Sequence, residues 1–265
     1  MNTFKYHKAT SVADAASLLA QSDDGELIAG GQTLIPTMKA GLAAPEDLVD
    51  LTGASELRNI SVNGTSVTIG ALATHAEVAA NEALRAVCPS ICDLAALIGD
   101  PAVRHRGTLG GSIANNDPAA DYPAAMLALD ATIKTDQRDI AASDFFEGLF
   151  STALEDGEIV VSISFDAPLT GAYQKFPNPA SRYAMCGVYV AKFDSGVRVA
   201  VTGAGSDGVF RASEFEAALG SNFTEQAIEG LSVDADDMLS DLHGDGAYRA
   251  NLVSVLARRA VAAAG

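Results

Sequence analysis

Apolar positions along the chain switch between a helical period and a strand period, and the switches lay out its elements. In "SVADAASLLAQ" (11–21), Val12, Ala16 and Leu19 recur at helical spacing. Ser11 precedes them, with Asp14 three residues on, so the stretch predicts a capped amphipathic helix with Asp in place of the usual Glu of a capping box. "ELIAG" (26–30) and "DLVDL" (47–51) read as short buried strands. Strand, helix and strand in that order predict a small α/β unit.

A different texture begins at "LRNISVNGTSVTIGA" (57–71), where Asn63-Gly64 separates two alternating runs and predicts a β-hairpin. Residues 74–98 read as two helices separated near Pro89. "DYPAAMLALDA" (121–131) is helical, and "GEIVVSISF" (157–165) is a strand. The expected fold class is α+β: residues 1–55 as a small α/β subdomain, then 56–170 as a larger antiparallel sheet with helices. Around "DAPLTGA" (166–172) Pro and Gly cluster, and alternating strands then helices follow. A boundary near 170 is expected, with residues 171–265 forming a small α+β domain of a three-stranded sheet plus helices.

Three glycine stretches interrupt these runs. "GAGSDG" (203–208) matches G-x-G-x-x-G and follows a strand, but that fingerprint needs a helix opening at the third glycine. Here "VFRAS" follows and reads as another strand, so the stretch is expected to be a hairpin connection. "IAGGQTLIP" (28–36) ends a strand in two glycines, with Thr33 beside them; it fits a structural turn or an anion-binding nest equally well. The same holds for "TLGGSIAN" (108–115). Taken together, two such nests could grip the halves of one pyrophosphate. Asp121, six residues beyond Asn115, is a carboxylate of the kind that holds ribose hydroxyls.

Composition narrows the possibilities. The chain has 265 residues, 48% hydrophobic and 19% charged, which suits a packed globule. Its formal net charge of −17 opposes a general nucleic-acid binder. The acid-rich stretch 207–245 reads as a solvated face. Every apolar run is interrupted before it reaches membrane-spanning length, and "MNTFKYHKAT" has no apolar core of a secretory signal, so a cytoplasmic protein is expected. Cys88, Cys92 and Cys186 are too few for an iron–sulfur cluster, and the four histidines are scattered, so no metal site is expected. No G-x-x-x-x-G-K-[ST] is present.

Several stretches, in order, carry a resemblance: "YHKATSVADAASLLAQ", "AGGQTLIPTMK", "IGALATHAEV", "LIGDPAVRHRGTLGGSIANNDPAADYPAAMLALDA" and "FFEGLFSTALEDGEIV". Together they resemble the FAD-binding medium subunit of the molybdenum hydroxylases, nearest the carbon monoxide dehydrogenase type. The resemblance implies a flavin lying between a small and a larger subdomain. It places Ile28, Ala29, Gly30, Gly31, Gln32, Thr33 and Leu34 in a first pyrophosphate loop, with the amides of Gly30 to Thr33 as donors. Thr108, Gly110, Gly111, Ser112 and Asn115 make the second. Asp121 would hold the ribose, Ile98 and Gly99 would approach the flavin, Val160 would pack near its rings, and Lys175 would sit at its polar edge. Thr74 would support a loop. Where many relatives carry His-Ser after the first glycine pair, this chain carries Gln32-Thr33, which keeps a donor and a hydroxyl.

The implied function is electron transfer. A large molybdenum-cofactor subunit would oxidise substrate, a small subunit with [2Fe–2S] clusters would relay electrons, and FAD here would pass them to an external acceptor. A dimer of heterotrimers would be the assembly, with no catalytic residue required in this chain. Two other readings stay open at this point: a self-contained flavin oxidase of the vanillyl-alcohol-oxidase-like group, and a non-enzymatic regulatory protein that binds FAD. Gly111→Val is expected to abolish FAD retention, and Gly205→Val to spare it.

Overall fold

The computed structural model describes residues 2–265. A parallel three-stranded sheet comes first: β1 (Lys5–Lys8), β2 (Gly25–Ile28) and β3 (Asp47–Asp50), with β3 in the centre. Helices α1 (Val12–Leu19) and α2 (Leu34–Lys39) supply the crossovers that parallel neighbours need. Ser11 caps α1 by accepting the Asp14 amide at 3.1 Å. Asp14 does not close the expected capping box; its carboxylate instead accepts from the amide and hydroxyl of Thr10.

The second unit is a five-stranded antiparallel sheet. Its strands are β4 (Ile60–Asn63), β5 (Ser66–Gly70), β6 (Thr132–Thr135), β7 (Asp139–Ala141) and, later in the chain, β10 (Val160–Asp166), in the order β4-β5-β10-β6-β7. The expected Asn63-Gly64 hairpin joins β4 to β5, with Gly64 at φ +61°. Register puts Ile60, Ile69, Ile163, Ile133 and Ile140 in one row across all five strands. The next row on the opposite face is Ser61, Thr68, Ser164, Thr132 and Ala141. That period-two alternation decides which face the helices cover.

Between β5 and β6 run α3 (His75–Ala80), α4 (Glu82–Val87), α5 (Pro89–Ala96), α6 (Pro101–Arg104), α7 (Leu109–Asn115) and α8 (Tyr122–Ala128). Residues 74–98 hold three helices rather than two. Asn81 ends α3 and caps α4, accepting the Leu84 amide at 2.8 Å, a break that no Gly or Pro announces. The helices bury Leu94, Leu109, Ile113 and Tyr122 against the isoleucine row. A short helix α9 (Ala142–Phe145) and a small hairpin, β8 (Phe146–Gly148) with β9 (Ser151–Thr152), close this unit before β10.

The last sheet has four strands where three are expected: β11 (Thr170–Pro177), β12 (Ala184–Phe193), β13 (Gly196–Thr202) and β14 (Phe210–Arg211). The fourth is only two residues long, too short to leave an alternation in the sequence. Helices α10 (Ser213–Ser221) and α11 (Gly246–Ala264) cover one face, where Val188, Val190, Val199 and Val201 meet Val253, Leu256 and Ala260. The other face presents Tyr173, Tyr189, Ala191 and Ala200 to the core of the preceding unit. The C-terminal sheet is thus buried on both sides and shares a core with the five-stranded unit.

"GAGSDG" is the connection from β13 to β14, as expected. Gly203 sits at φ +80°, and its carbonyl accepts from the buried Arg249 guanidinium at 2.8 Å. These glycines serve packing within the C-terminal sheet.

Candidate functional site

The two remaining glycine stretches lie against each other. The first loop follows β2 and turns at Gly31, φ +69°. A Cβ on Gly30 would overlap the Arg106 carbonyl and lie 2.8 Å from the Gly107 Cα, so only glycine lets the first loop approach the second. The second loop is strapped to the 71–75 segment by backbone bonds: His75 N to Gly107 O (3.0 Å), Leu109 N to Ala73 O (3.0 Å) and Gly110 N to Ala71 O (2.9 Å). Thr74 anchors that segment through a complete capping box with Glu77 at the start of α3. Its oxygen is used there, and Thr74 is absent from the cavity wall, so its role is support.

Over the two loops runs one continuous cavity of roughly 1270 Å³. Typical small-molecule pockets hold about 300–1,000 Å³, so this one suits an extended ligand. Ile28, Ala29, Gly30, Gly31, Gln32, Thr33 and Leu34 line it from one side. Thr108, Gly110, Gly111, Ser112 and Asn115 line it from the other, with Ile98, Gly99, Val160 and Asp121 further along. The fold therefore gathers around one cavity sixteen of the eighteen expected positions, all but Thr74 and Lys175.

Individual roles differ from expectation. Thr33 starts α2 without a side-chain capping bond, leaving its hydroxyl for a ligand. The Gly111 amide, by contrast, donates to Thr108 Oγ1 at 3.2 Å. What Gly111 contributes is space: an added Cβ would meet Thr108 Oγ1 at 2.9 Å and then only Ala29 across the gap at 3.9 Å. Gly110 is needed for packing, since a Cβ there would lie 2.5 Å from that of Ala71.

Lys175 is corrected most. Its side chain is only 3% exposed; the ammonium sits 2.8 Å from the Asp121 carboxylate and also donates to Leu97 O at 3.2 Å. It stands behind Asp121 rather than on the cavity wall. Asp121 is equally engaged, because Tyr173 donates its hydroxyl to Oδ1 at 2.6 Å. Buried charges are stable only when paired, and Lys175 and Tyr173 supply that pairing to Asp121 where it lines the cavity. Burial pushes the Asp121 carboxyl up, while Lys175 and Tyr173 oppose that shift.

Residues outside that set also build the site, among them Arg104, which the sequence suggests as a brace for the loop. His75 is buried beneath Gly107, and burial together with Arg104 pushes its imidazole down to about 4, so it is neutral at ordinary pH. Arg104 holds the carbonyls of Ile98 and Gly99 at 2.9 and 3.1 Å, with Gly99 at φ +49°. Phe150 and the Ser181–Tyr183 tip reach the cavity from two different hairpins. Tyr173, which sequence reasoning missed, had a usable signal: it is two residues from Lys175 on one strand, hence on the same face.

Among the described residues, no group of three or more His, Cys, Asp or Glu is placed to hold a metal, and no helix is long and apolar enough to cross a membrane. The three thiols are buried, with Cys92 pushed up to about 11 and Cys186 to about 12, so they stay protonated. The glycine cradle, the free Thr33 hydroxyl and the length of the cavity fit a two-phosphate dinucleotide.

Comparison with known proteins agrees with that geometry. Residues 2–168 match the family described as the FAD binding domain in molybdopterin dehydrogenase. The carbon monoxide dehydrogenase medium chain of Hydrogenophaga pseudoflava is 34% identical over 98% of this chain and 96% of its own. The nicotine 6-hydroxylase medium subunit of Paenarthrobacter nicotinovorans is 32% identical over 98% and 97%. The structure of the H. pseudoflava carbon monoxide dehydrogenase superposes with a TM-score of 0.90 at 35% identity, covering 99% of this chain and 97% of that one. Quinoline 2-oxidoreductase of Pseudomonas putida 86 superposes at 0.88, with 28% identity and coverage of 99% and 97%. The chain belongs to the FAD-binding family of the molybdopterin dehydrogenases, as a medium-type, FAD-carrying subunit of an oxidoreductase.

Proposed function

We propose that this chain collects electrons on FAD from the [2Fe–2S] clusters of a small partner subunit and hands them to an external acceptor. A large molybdenum-cofactor subunit would carry out substrate oxidation, and the assembly would be a dimer of heterotrimers. The observation that carries this reading is the close packing of Gly30 on Arg106–Gly107, which makes one dinucleotide cradle from two subdomains. FAD supplies the chemistry, taking up two electrons and releasing them.

The residues of this chain hold and tune the cofactor. The Gly30–Thr33 backbone and the Thr33 hydroxyl would bind one phosphate, and Ser112 with Asn115 the other. Ile98, Gly99 and Val160 would face the ring system. The Asp121–Lys175 pair, braced by Tyr173, keeps a buried cation just behind the cavity wall. Because Asp121 lies between that ammonium and the cavity, the pair is neutral overall and braces the wall without placing a net charge beside the ring.

The similarity to medium chains of multi-subunit dehydrogenases over nearly the whole length favours this reading over a self-contained oxidase, and a regulatory FAD sensor would need no cluster partner. Co-expression with candidate large and small subunits tests the assignment. A complex containing flavin and iron–sulfur absorption is expected. A flavin-loaded chain that never associates with an iron–sulfur protein would overturn it.

A further inference from the structure

A second, smaller cavity of roughly 290 Å³ lies on the C-terminal unit, between α11 and the 228–232 segment. None of its lining residues borders the large cavity. Its helical wall is a stripe: Asn251, Ser254 and Arg258 stand at i, i+3 and i+7 and so share one face of α11. Ser254 fixes the opposite wall by donating its hydroxyl to Leu231 O at 2.8 Å. Gly230, at φ +82°, lets the chain turn on that wall.

The charges around this cleft are unevenly matched. Arg198, Arg211 and Arg249 each hold a carboxylate at 2.7 or 2.8 Å. Half-buried Arg258 holds none among the described residues, and its one protein hydrogen bond runs from Nε to Ser254 O at 3.4 Å. Both terminal nitrogens of its guanidinium therefore keep free donors. The Gly230 amide likewise donates to no protein group among the described residues. Acids crowd the stretch 207–245 that leads into α11, yet none of them lines the cleft. A partly desolvated guanidinium is stabilised by a charged partner, and its planar fork matches the two oxygens of a carboxylate.

We propose that this cleft binds a small monocarboxylic acid as its anion, with the carboxylate on Arg258 and Asn251 and a short apolar body against Ile228 and Leu231. One cation neutralises one negative charge, and a chain of net charge −17 repels more highly charged anions. Small-molecule sites hold roughly 300–1,000 Å³, so a cavity at the lower end of that range limits the ligand to a few carbons. The site is separate from the FAD cavity and does not depend on its assignment. A bound carboxylate would add a second link between α11 and the 228–232 segment, beside that of Ser254.

The test titrates the purified chain, with FAD added, with butyrate at constant ionic strength, followed by saturation-transfer-difference NMR. A dissociation constant on the order of 1 mM is expected. Arg258→Gln should weaken binding at least about tenfold. Asn251→Asp, which places a negative charge in the cleft, should abolish it. Arg259→Gln removes the same charge from the neighbouring position, exposed and outside the cleft, and should change nothing. Thermal melts confirm that each variant is folded. Unaltered butyrate binding in folded Arg258→Gln or Asn251→Asp would overturn the proposal, as would no binding by the unaltered chain. Equal loss in Arg258→Gln and Arg259→Gln would reduce the effect to general charge and overturn it too. So would inorganic phosphate binding more tightly than butyrate in an Arg258-dependent way. Loss of butyrate binding on assembly with the partner subunits would give the cleft to a partner's carboxylate and overturn the free-ligand reading.

Discussion

Gly30 packs directly on the Arg106–Gly107 peptide, closing the first loop of the small subdomain onto the second loop of the larger one. Any side chain at Gly30 must push them apart. Gly30→Ala should therefore lose most of its FAD, read as the ratio of flavin to protein absorbance. Overpacking against backbone should cost about 1–3 kcal/mol in a denaturant titration. Full flavin content in the variant would show that the loops need not touch.

Gly111→Val tests the cradle from the other side. Its side chain would fill the gap toward Ala29 while meeting only Thr108 nearby, so FAD should be lost with little change in melting temperature. Gly205→Val, expected from sequence to spare FAD retention, is a poor control. A Cβ there would lie 2.5 Å from Gly208 O and 2.8 Å from Phe210, so it should destabilise the C-terminal sheet. Gly220→Ala, where a Cβ meets nothing within 4 Å, should keep both flavin and stability.

The Asp121–Lys175 pair is buried, so its halves should be worth less alone than together. Lys175→Met leaves an unpaired buried carboxylate and should destabilise by about 3–5 kcal/mol. Adding Asp121→Asn should recover much of that loss, which a double-mutant cycle by chemical denaturation would measure. Additive losses would mean the two charges are not coupled.

Acid stability should fall in two stages. His75 has its folded pKa lowered to about 4 from 6.5, so the unfolded chain takes up this proton first. The stability His75 contributes is complete above pH about 6.5 and is lost as pH falls toward 4. Glu158, hydrogen-bonded by Arg138 and Thr135, is lowered to about 2 from 4.5, so its contribution disappears between pH about 4.5 and 2. Unfolding free energy measured against pH should lose the upper slope in His75→Phe and the lower one in Glu158→Gln. A slope that survives its own substitution would reassign that stage.

The Thr74 capping box should be worth about 0.5–2 kcal/mol. Thr74→Ala should lower stability by that amount and weaken FAD binding only indirectly, because Thr74 bridges to Thr108. Thr74→Ser should restore both, as monitored by thermal melts and FAD titration.

Local pattern determined the parts of this protein that depend on near neighbours. Alternation set the isoleucine row of the five-stranded sheet, Asn63-Gly64 set its first hairpin, and the two glycine pairs marked where backbone must come close without a Cβ. Motif order carried the family and its cofactor. What the pattern could not contain is which distant groups would meet. Lys175 sat in the chain as a cation, but only folding gave it Asp121 and Tyr173 as partners and withdrew it from the cavity wall. Phe150 and Tyr183 lie in unremarkable turns, and only the packing of two sheets put both on the lining of one cavity. The physical reason is the same in each case. Period and turn chemistry act over a few bonds, whereas desolvated charges and shared cavities depend on contacts between residues tens of positions apart.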